Sequence, residues 1–115
     1  MSESLLKLFH KTYGDGPPIL LLHGLLGSSD NWHTIAGLLS DRYRVITADL
    51  RNHGRSPHAY GFTYQLLAED VHELIEDLKL TKPIVVGHSM GGKAAMELAL
   101  RYPDLLQGIV VEDMI

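Results

Sequence analysis

The stretch from Ile84 to Met96, IVVGHSMGGKAAM, constrains the fold of this chain more than any other. Ile84-Val85-Val86 is a short, β-branched apolar run of the kind that forms a buried strand. A glycine-dense turn follows it at once. A helical pattern then runs from about Gly91 to Arg101, and Pro103 closes it. A strand that passes through one tight turn into a helix belongs to a sheet whose strands are joined by helical crossovers, which makes the sheet parallel.

The rest of the chain repeats that alternation. Ile19 to Gly24, ILLLHG, reads as a buried strand, and Tyr43 to Leu50, YRVITADL, as the next. Gly108 to Met114, GIVVEDM, is a further strand. Leu5 to Gly14 is predicted as an early strand, ending in a turn from Gly14 to Pro18. A helix is expected after Leu25 to Asp30, capped by Ser29 or Asp30, with Trp32, Ile35 and Leu39 on its inner face. Thr63 caps a longer helix through Leu80, in which Leu67, Val71, Leu74 and Leu78 recur at spacings of three and four. Its outer face is read as solvated acid: Glu69, Asp70, Glu73, Glu76 and Asp77. The fold class is therefore α/β, a parallel sheet with flanking helices. Ligands in such sheets bind beyond the carboxyl ends of the strands, here just after Leu22, Leu50, Val86 and Val111.

Composition narrows the chemistry. The 115 residues suit one domain, and ten Lys and Arg against 14 Asp and Glu give a formal charge of -4. That balance lacks the basic footprint that nucleic acids and anionic membranes require. No cysteine is present, which removes disulfides, thiolate metal sites and cysteine catalysis. No apolar run approaches the roughly 20 residues that span a bilayer. The opening MSESLLKLFHK does not read as a secretory signal, so a soluble cytoplasmic protein is the expectation.

Two chemistries compete for the central stretch. Gly87-His88-Ser89-Met90-Gly91 fits G-x-S-x-G, in which a serine stands proud on a sharp turn and glycines on either side admit crowded backbone. Gly87, Gly92 and Lys93 also fit G-x-x-x-x-G-K, a phosphate-cradling loop. That loop needs Ser or Thr after the lysine to hold Mg²⁺, and this chain has Ala94. Acyl transfer also needs preorganised donors for a developing oxyanion. The backbone N–H groups of Leu25 and Met90, one beyond each of two strand ends, form the natural pair. His23, next to Gly24, is read as holding its loop by hydrogen bonds. Arg51 and Arg55, in DLRNHGRS, are read as loop braces that bond nearby carboxylates.

The segments HGLLG, DLRNHGRS and GHSMGG, in this order and spacing, resemble the α/β-hydrolase family. More narrowly, GSSDNWHTIA, DLRNHGRSPH and GHSMGGKAAM are similar to small bacterial carboxyl-esterases of the YbfF type and their mitochondrial relatives of the ABHD11 group. The resemblance implies hydrolysis of small-molecule acyl esters or thioesters through a serine acyl-enzyme, with no metal or organic cofactor. It implies Ser89 as nucleophile and the Leu25 and Met90 amides as oxyanion hole, with Gly87, Gly91, His88, His23 and Gly24 supporting the turn and its facing loop. A serine at this turn argues against the branches of the family that use aspartate there.

The family order is Ser, then Asp or Glu, then His. Asp113 is a candidate acid, or else a strand-end cap, and Glu112 is expected to point to the other face. No histidine follows His88, and none of the seven occupies the family's base position. His88 is expected to point away from Ser89; His23 and His53 lie nearer the strand ends, and neither is read as an efficient base. The chain is thus expected to be a partial α/β-hydrolase domain over 1–115, weak or inactive by itself. Its last strand is expected to be an open apolar edge suited to self-association. A non-catalytic half-domain pairing through that edge is the rival reading.

Overall fold

The computed structural model describes residues 6–112. Its sheet contains β1 (His10–Tyr13), β2 (Pro18–Leu22), β3 (Arg44–Ala48), β4 (Ile84–His88) and β5 (Gly108–Glu112), in the spatial order β1-β3-β2-β4-β5. The pairs β2–β3, β2–β4 and β4–β5 are parallel. The first strand departs from the all-parallel expectation, since β1 runs antiparallel to β3. Only residues 14–17 separate β1 from β2. A connection that short reverses the chain and has no room for a crossover. Gly14 and Gly16, at φ of 73° and 122°, make the reversal.

β1 is also shorter than Leu5 to Gly14; Leu5 lies outside the described residues, and residues 6–9 leave the ladder. Their backbone is satisfied by side chains and a loop instead. Leu6 N–H donates to Asp70 Oδ1 at 3.1 Å, Phe9 N–H to Ser56 Oγ at 2.9 Å, and the Phe9 carbonyl accepts from Asp49 N–H at 2.9 Å.

Helices cover both faces of the sheet. On one side α2 (Tyr64–Asp77) and α3 (Met90–Arg101) enclose the larger core, built from Leu20, Leu22, Ile46, Ala48, Leu67, Val71, Ala95 and Leu98 among others. On the other, a 3-10 turn (Ser29–Trp32) leads into α1 (His33–Leu39) and covers Ile19, Leu21 and Val45. The tighter winding of the 3-10 turn shifts the phase of α1. As a result Trp32 and Ala36 face inward, while Ile35, expected on the inner face, is 43% exposed. The cap is Ser28, one residue before the expected pair: its Oγ accepts from Asp30 N–H, and Asn31 Oδ1 accepts from Ser28 N–H at 3.0 Å. Thr63 caps α2 as expected, accepting Leu66 N–H at 3.0 Å.

The acidic face of α2 requires one correction. Asp70 is fully buried and bonds a buried Arg51 through two contacts, Nε to Oδ2 at 2.6 Å and Nη2 to Oδ1 at 2.9 Å. Arg51 Nη1 also donates to the Gly61 carbonyl at 3.1 Å. Asp70 sits at the seam where α2 meets the loop after β3 and residue 6, so it does not reach solvent. Glu69, next to it, accepts from Tyr102 Oη and Arg101 Nε of α3 at 2.7 and 2.8 Å.

Removing one partner of a buried pair leaves an uncompensated charge, which typically costs about 3–5 kcal/mol. Asp70→Ala is therefore expected to lower unfolding stability by about that amount in urea titrations. Glu76→Ala, on the exposed part of the same helix, is expected to change it by less than about 0.5 kcal/mol.

Candidate active site

Three loops leave the carboxyl ends of β2, β3 and β4 and meet above the sheet. The tightest is a single residue. β4 ends at His88, α3 begins at Met90, and Ser89 alone joins them at φ 53°, ψ -110°. Non-glycine residues rarely adopt positive φ, so this junction needs support from its surroundings. Ser89 N–H donates to the Glu112 carbonyl of β5, and the Ser89 carbonyl accepts Lys93 N–H, both at 3.0 Å. Close backbone approach supplies the rest. A Cβ on Gly91 would lie 2.6 Å from the carbonyl oxygens of both Leu22 and His23, and one on Gly87 would collide with the Gly91 carbonyl. Met90 is 4% exposed, its side chain in the core beneath the turn. The N–H groups of Met90, Gly91 and Gly92 precede the first intrahelical bond of α3 and have no acceptor within the helix.

The loop after β2 faces this turn. Gly27 N–H donates to the Gly24 carbonyl at 3.0 Å, closing a turn with Leu25 and Leu26 at its tip and Leu26 at φ 64°. His23 holds the loop from below. Its Nδ1–H donates to the Gly24 carbonyl at 2.7 Å, and its Nε2 accepts Leu50 N–H at 3.0 Å. Those two bonds fix the neutral tautomer. Burial pushes the imidazole below its ordinary value, outweighing the opposite pull of the Gly24 bond. The His53 ring packs 5.1 Å from that of His23, and its Nδ1 bonds the Arg51 carbonyl at 2.9 Å.

Asp49, beyond β3, ties two of the loops together. Its carboxylate accepts Ser29 N–H at 2.6 Å and Arg55 N–H at 2.8 Å, and its carbonyl accepts Ser56 Oγ. Burial would raise this carboxyl, but the Arg55 and Ser29 donors outweigh it and hold the group below the usual carboxylate range.

Ser89 opens into a cavity of about 510 Å³ whose lining also includes Leu25, Trp32, Ile35, His88 and Glu112. His88 lines the same cavity, with Nδ1 3.5 Å from Glu112 Oε1. Glu112 lines it as well. Asp113 lies outside the described residues. Sequence spacing does not single out Trp32, Ile35 and Glu112 as lining, because it reports burial rather than which side chains border a cavity. A phosphate-cradling loop finds no room here. Such a loop needs several consecutive backbone N–H groups around the phosphates, and one residue separates strand from helix. Among the described residues no cluster of His, Asp and Glu is suited to a metal ion, and no helix is long and apolar enough to cross a membrane.

Comparison with known proteins gives matches across most of the chain. The profile of the α/β-hydrolase fold matches residues 17–114. An sn-1-specific diacylglycerol lipase ABHD11 of Danio rerio is 46% identical over 103 residues, which is 88% of this chain and 32% of that protein. An abhydrolase domain-containing protein of Schizosaccharomyces pombe is 39% identical over 107 residues, 91% of this chain and 40% of that one. The solved structure of a marine microorganism esterase superposes with a TM-score of 0.90 at 47% identity, covering 92% of this chain and 41% of its own. The chain therefore spans well under half the length of the relatives it matches.

A histidine held neutral by burial makes stability depend on pH. As pH falls through the ordinary value of 6.5, the unfolded chain takes up the proton before the folded chain does. The His23 contribution is thus fully present above that pH and is lost as pH falls towards the lower folded value. Between pH 7.5 and pH 5.5 the urea midpoint of the wild type is expected to fall further than that of His23→Asn, which keeps a donor but cannot titrate. Parallel pH profiles would contradict this assignment.

Proposed function

The chain belongs to the α/β-hydrolase fold family, and from that premise we propose that it serves the hydrolysis of carboxylic esters or thioesters through a serine acyl-enzyme. Ser89 is the proposed nucleophile. Its hydroxyl oxygen attacks the acyl carbonyl, its proton passes to a general base, and the alcohol or thiol leaves. Water then attacks the acyl-serine and releases the acid. The observation that carries this reading is the one-residue junction at Ser89, with positive φ and an opening to the cavity. The Leu25 and Met90 amides are the proposed oxyanion donors, each typically worth about 10²–10³ in rate. The unbonded first turn of α3 favours negative charge at the same place. Gly87, Gly91, Gly24 and His23 support the turn and its facing loop, and His88 borders the cavity they enclose.

Asp113 is the proposed acid. None of the seven histidines is assigned as the base. The Nε2 lone pair of His23 already accepts the Leu50 amide, and His53 is engaged with the Arg51 carbonyl. Without an assigned base both acylation and deacylation by this chain are slowed, and we propose that acylation outruns deacylation only for an activated ester, whose leaving group needs no proton. The esterase and lipase names of its relatives support a small-molecule ester as substrate.

A second reading rests on β5. Among the described residues this strand pairs with β4 alone, and Val110 on it is 52% exposed. Self-association through that edge would appear in sedimentation velocity as a concentration-dependent dimer; a monomer throughout would dismiss it.

For the main proposal, p-nitrophenyl acetate is expected to give a burst of about one nitrophenolate per chain followed by slow release. Intact mass should show one acetyl group at Ser89, absent from Ser89→Ala. No adduct on Ser89 would overturn the nucleophile assignment. Fast steady turnover by the 115 residues would overturn the claim that the base is not among them.

A further inference from the structure

Besides Ser89, the polar side chains lining the cavity are His23, Asn31, His88 and Glu112. Most are already engaged. His23 spends both ring nitrogens on the Gly24 carbonyl and the Leu50 amide. His88 and Glu112 face each other, Nδ1 to Oε1 at 3.5 Å. Trp32 Nε1 has no partner, but the atom is buried and offers no donor to an incoming molecule. Asn31 differs from all of these, because only half of its carboxamide is used.

Asn31 sits in the 3-10 turn that follows β2 and is held there twice. Its backbone N–H donates to the Ser28 carbonyl at 3.1 Å, and its Oδ1 accepts Ser28 N–H at 3.0 Å. Gly27 leaves the space that Oδ1 fills, since a Cβ at that position would overlap it. A carboxamide is planar, so fixing its oxygen fixes the direction of the two Nδ2 donors. Among the described residues Nδ2 has no acceptor. Asn31 is exposed, so the free donor carries no burial penalty and hydrogen-bonds water until a better-placed acceptor arrives.

Resting on the acyl-transfer reading above, we propose that Asn31 Nδ2 is a specificity-determining hydrogen-bond donor of this cavity. The substrate class it selects is esters or thioesters whose acyl part carries a second oxygen acceptor, an ether or hydroxyl within a few bonds of the scissile carbonyl. Leu25, a proposed oxyanion donor, belongs to the same loop, which brings Nδ2 to the flank of the acyl carbonyl.

Methoxyacetamide and butanamide are matched in size and differ by an ether oxygen in place of one methylene. Their binding does not depend on Ser89 reacting. Trp32, the single tryptophan of the chain and part of the lining, reports it by fluorescence. Asn31→Asp keeps an oxygen for Ser28 N–H and replaces the Nδ2 donors with an acceptor. The ratio of the butanamide Kd to the methoxyacetamide Kd is expected to fall about three- to tenfold in Asn31→Asp, the worth of one neutral hydrogen bond. Asp30→Asn changes the charge of the same turn outside the lining and is expected to leave the ratio as in the wild type. Each ratio compares two ligands on one protein, so a uniform loss of affinity or of folded chain cancels. No saturable signal, an unchanged ratio in Asn31→Asp, or an equal change in Asp30→Asn would overturn the assignment. If the ratio moves as described but Ser89 takes up no acetyl group, the acyl-transfer reading fails and the Asn31 donor stands. An acetylated Ser89 with an unmoved ratio removes the Asn31 donor alone.

Discussion

Backbone crowding where β4 becomes α3 governs the arrangement of this molecule. The Gly91 Cα lies so close to the carbonyls ending β2 that no side chain fits there, and Gly87 is pressed against the same turn of helix. Those contacts let a helix start one residue after a strand ends. The cost falls on Ser89, whose backbone conformation is of a kind that typically costs about 1–3 kcal/mol and persists only where its surroundings over-determine it. Hydrogen bonds on both sides of Ser89 and the two glycine contacts supply that over-determination. One constraint thereby fixes the sheet order at its centre, the origin of α3 and the exposure of a single hydroxyl.

The loops around that turn are held by buried polar groups rather than by apolar packing. His23 and Asp49 each bond two backbone groups from different parts of the chain, and each is shifted towards the charge state that makes those bonds. Farther out, Arg51 and Asp70 pin the loop after β3 to α2. Buried ion pairs of this sort add little net stability over apolar substitutes, and their value lies in fixing one geometry. Here the geometry fixed is that of the loop whose residue His53 packs at a tilt against His23.

Much of this was legible in the sequence because it depends on local rules. The alternation of apolar runs and helical spacing placed β2 to β5, α2 and α3 within a few residues. Thr63 is recognisable as a cap because its side chain answers a need three residues away. The failures have two causes, a contact from a distant segment and a local break in helical winding. Asp70 sits among acidic residues that do face solvent, and only the arrival of Arg51 from another loop distinguishes it. Ile35 leaves the inner face because a 3-10 turn precedes it, and helical periodicity assumes no such interruption. The serine and its glycines stood out at once, whereas the side chains bordering the cavity did not.

The hydrogen bond from Ser89 N–H to the Glu112 carbonyl makes the outermost strand a tether for the chemistry proposed at the centre. β5, like β1 at the other edge, has one neighbour among the described residues, so it is more prone to fray than the central strands. Fraying there would release the acceptor and let the junction relax towards an ordinary backbone conformation, withdrawing the hydroxyl. Anything that clamps the sheet's margin, whether an added strand or a second polypeptide, would therefore act at a distance as a stiffener of the serine itself.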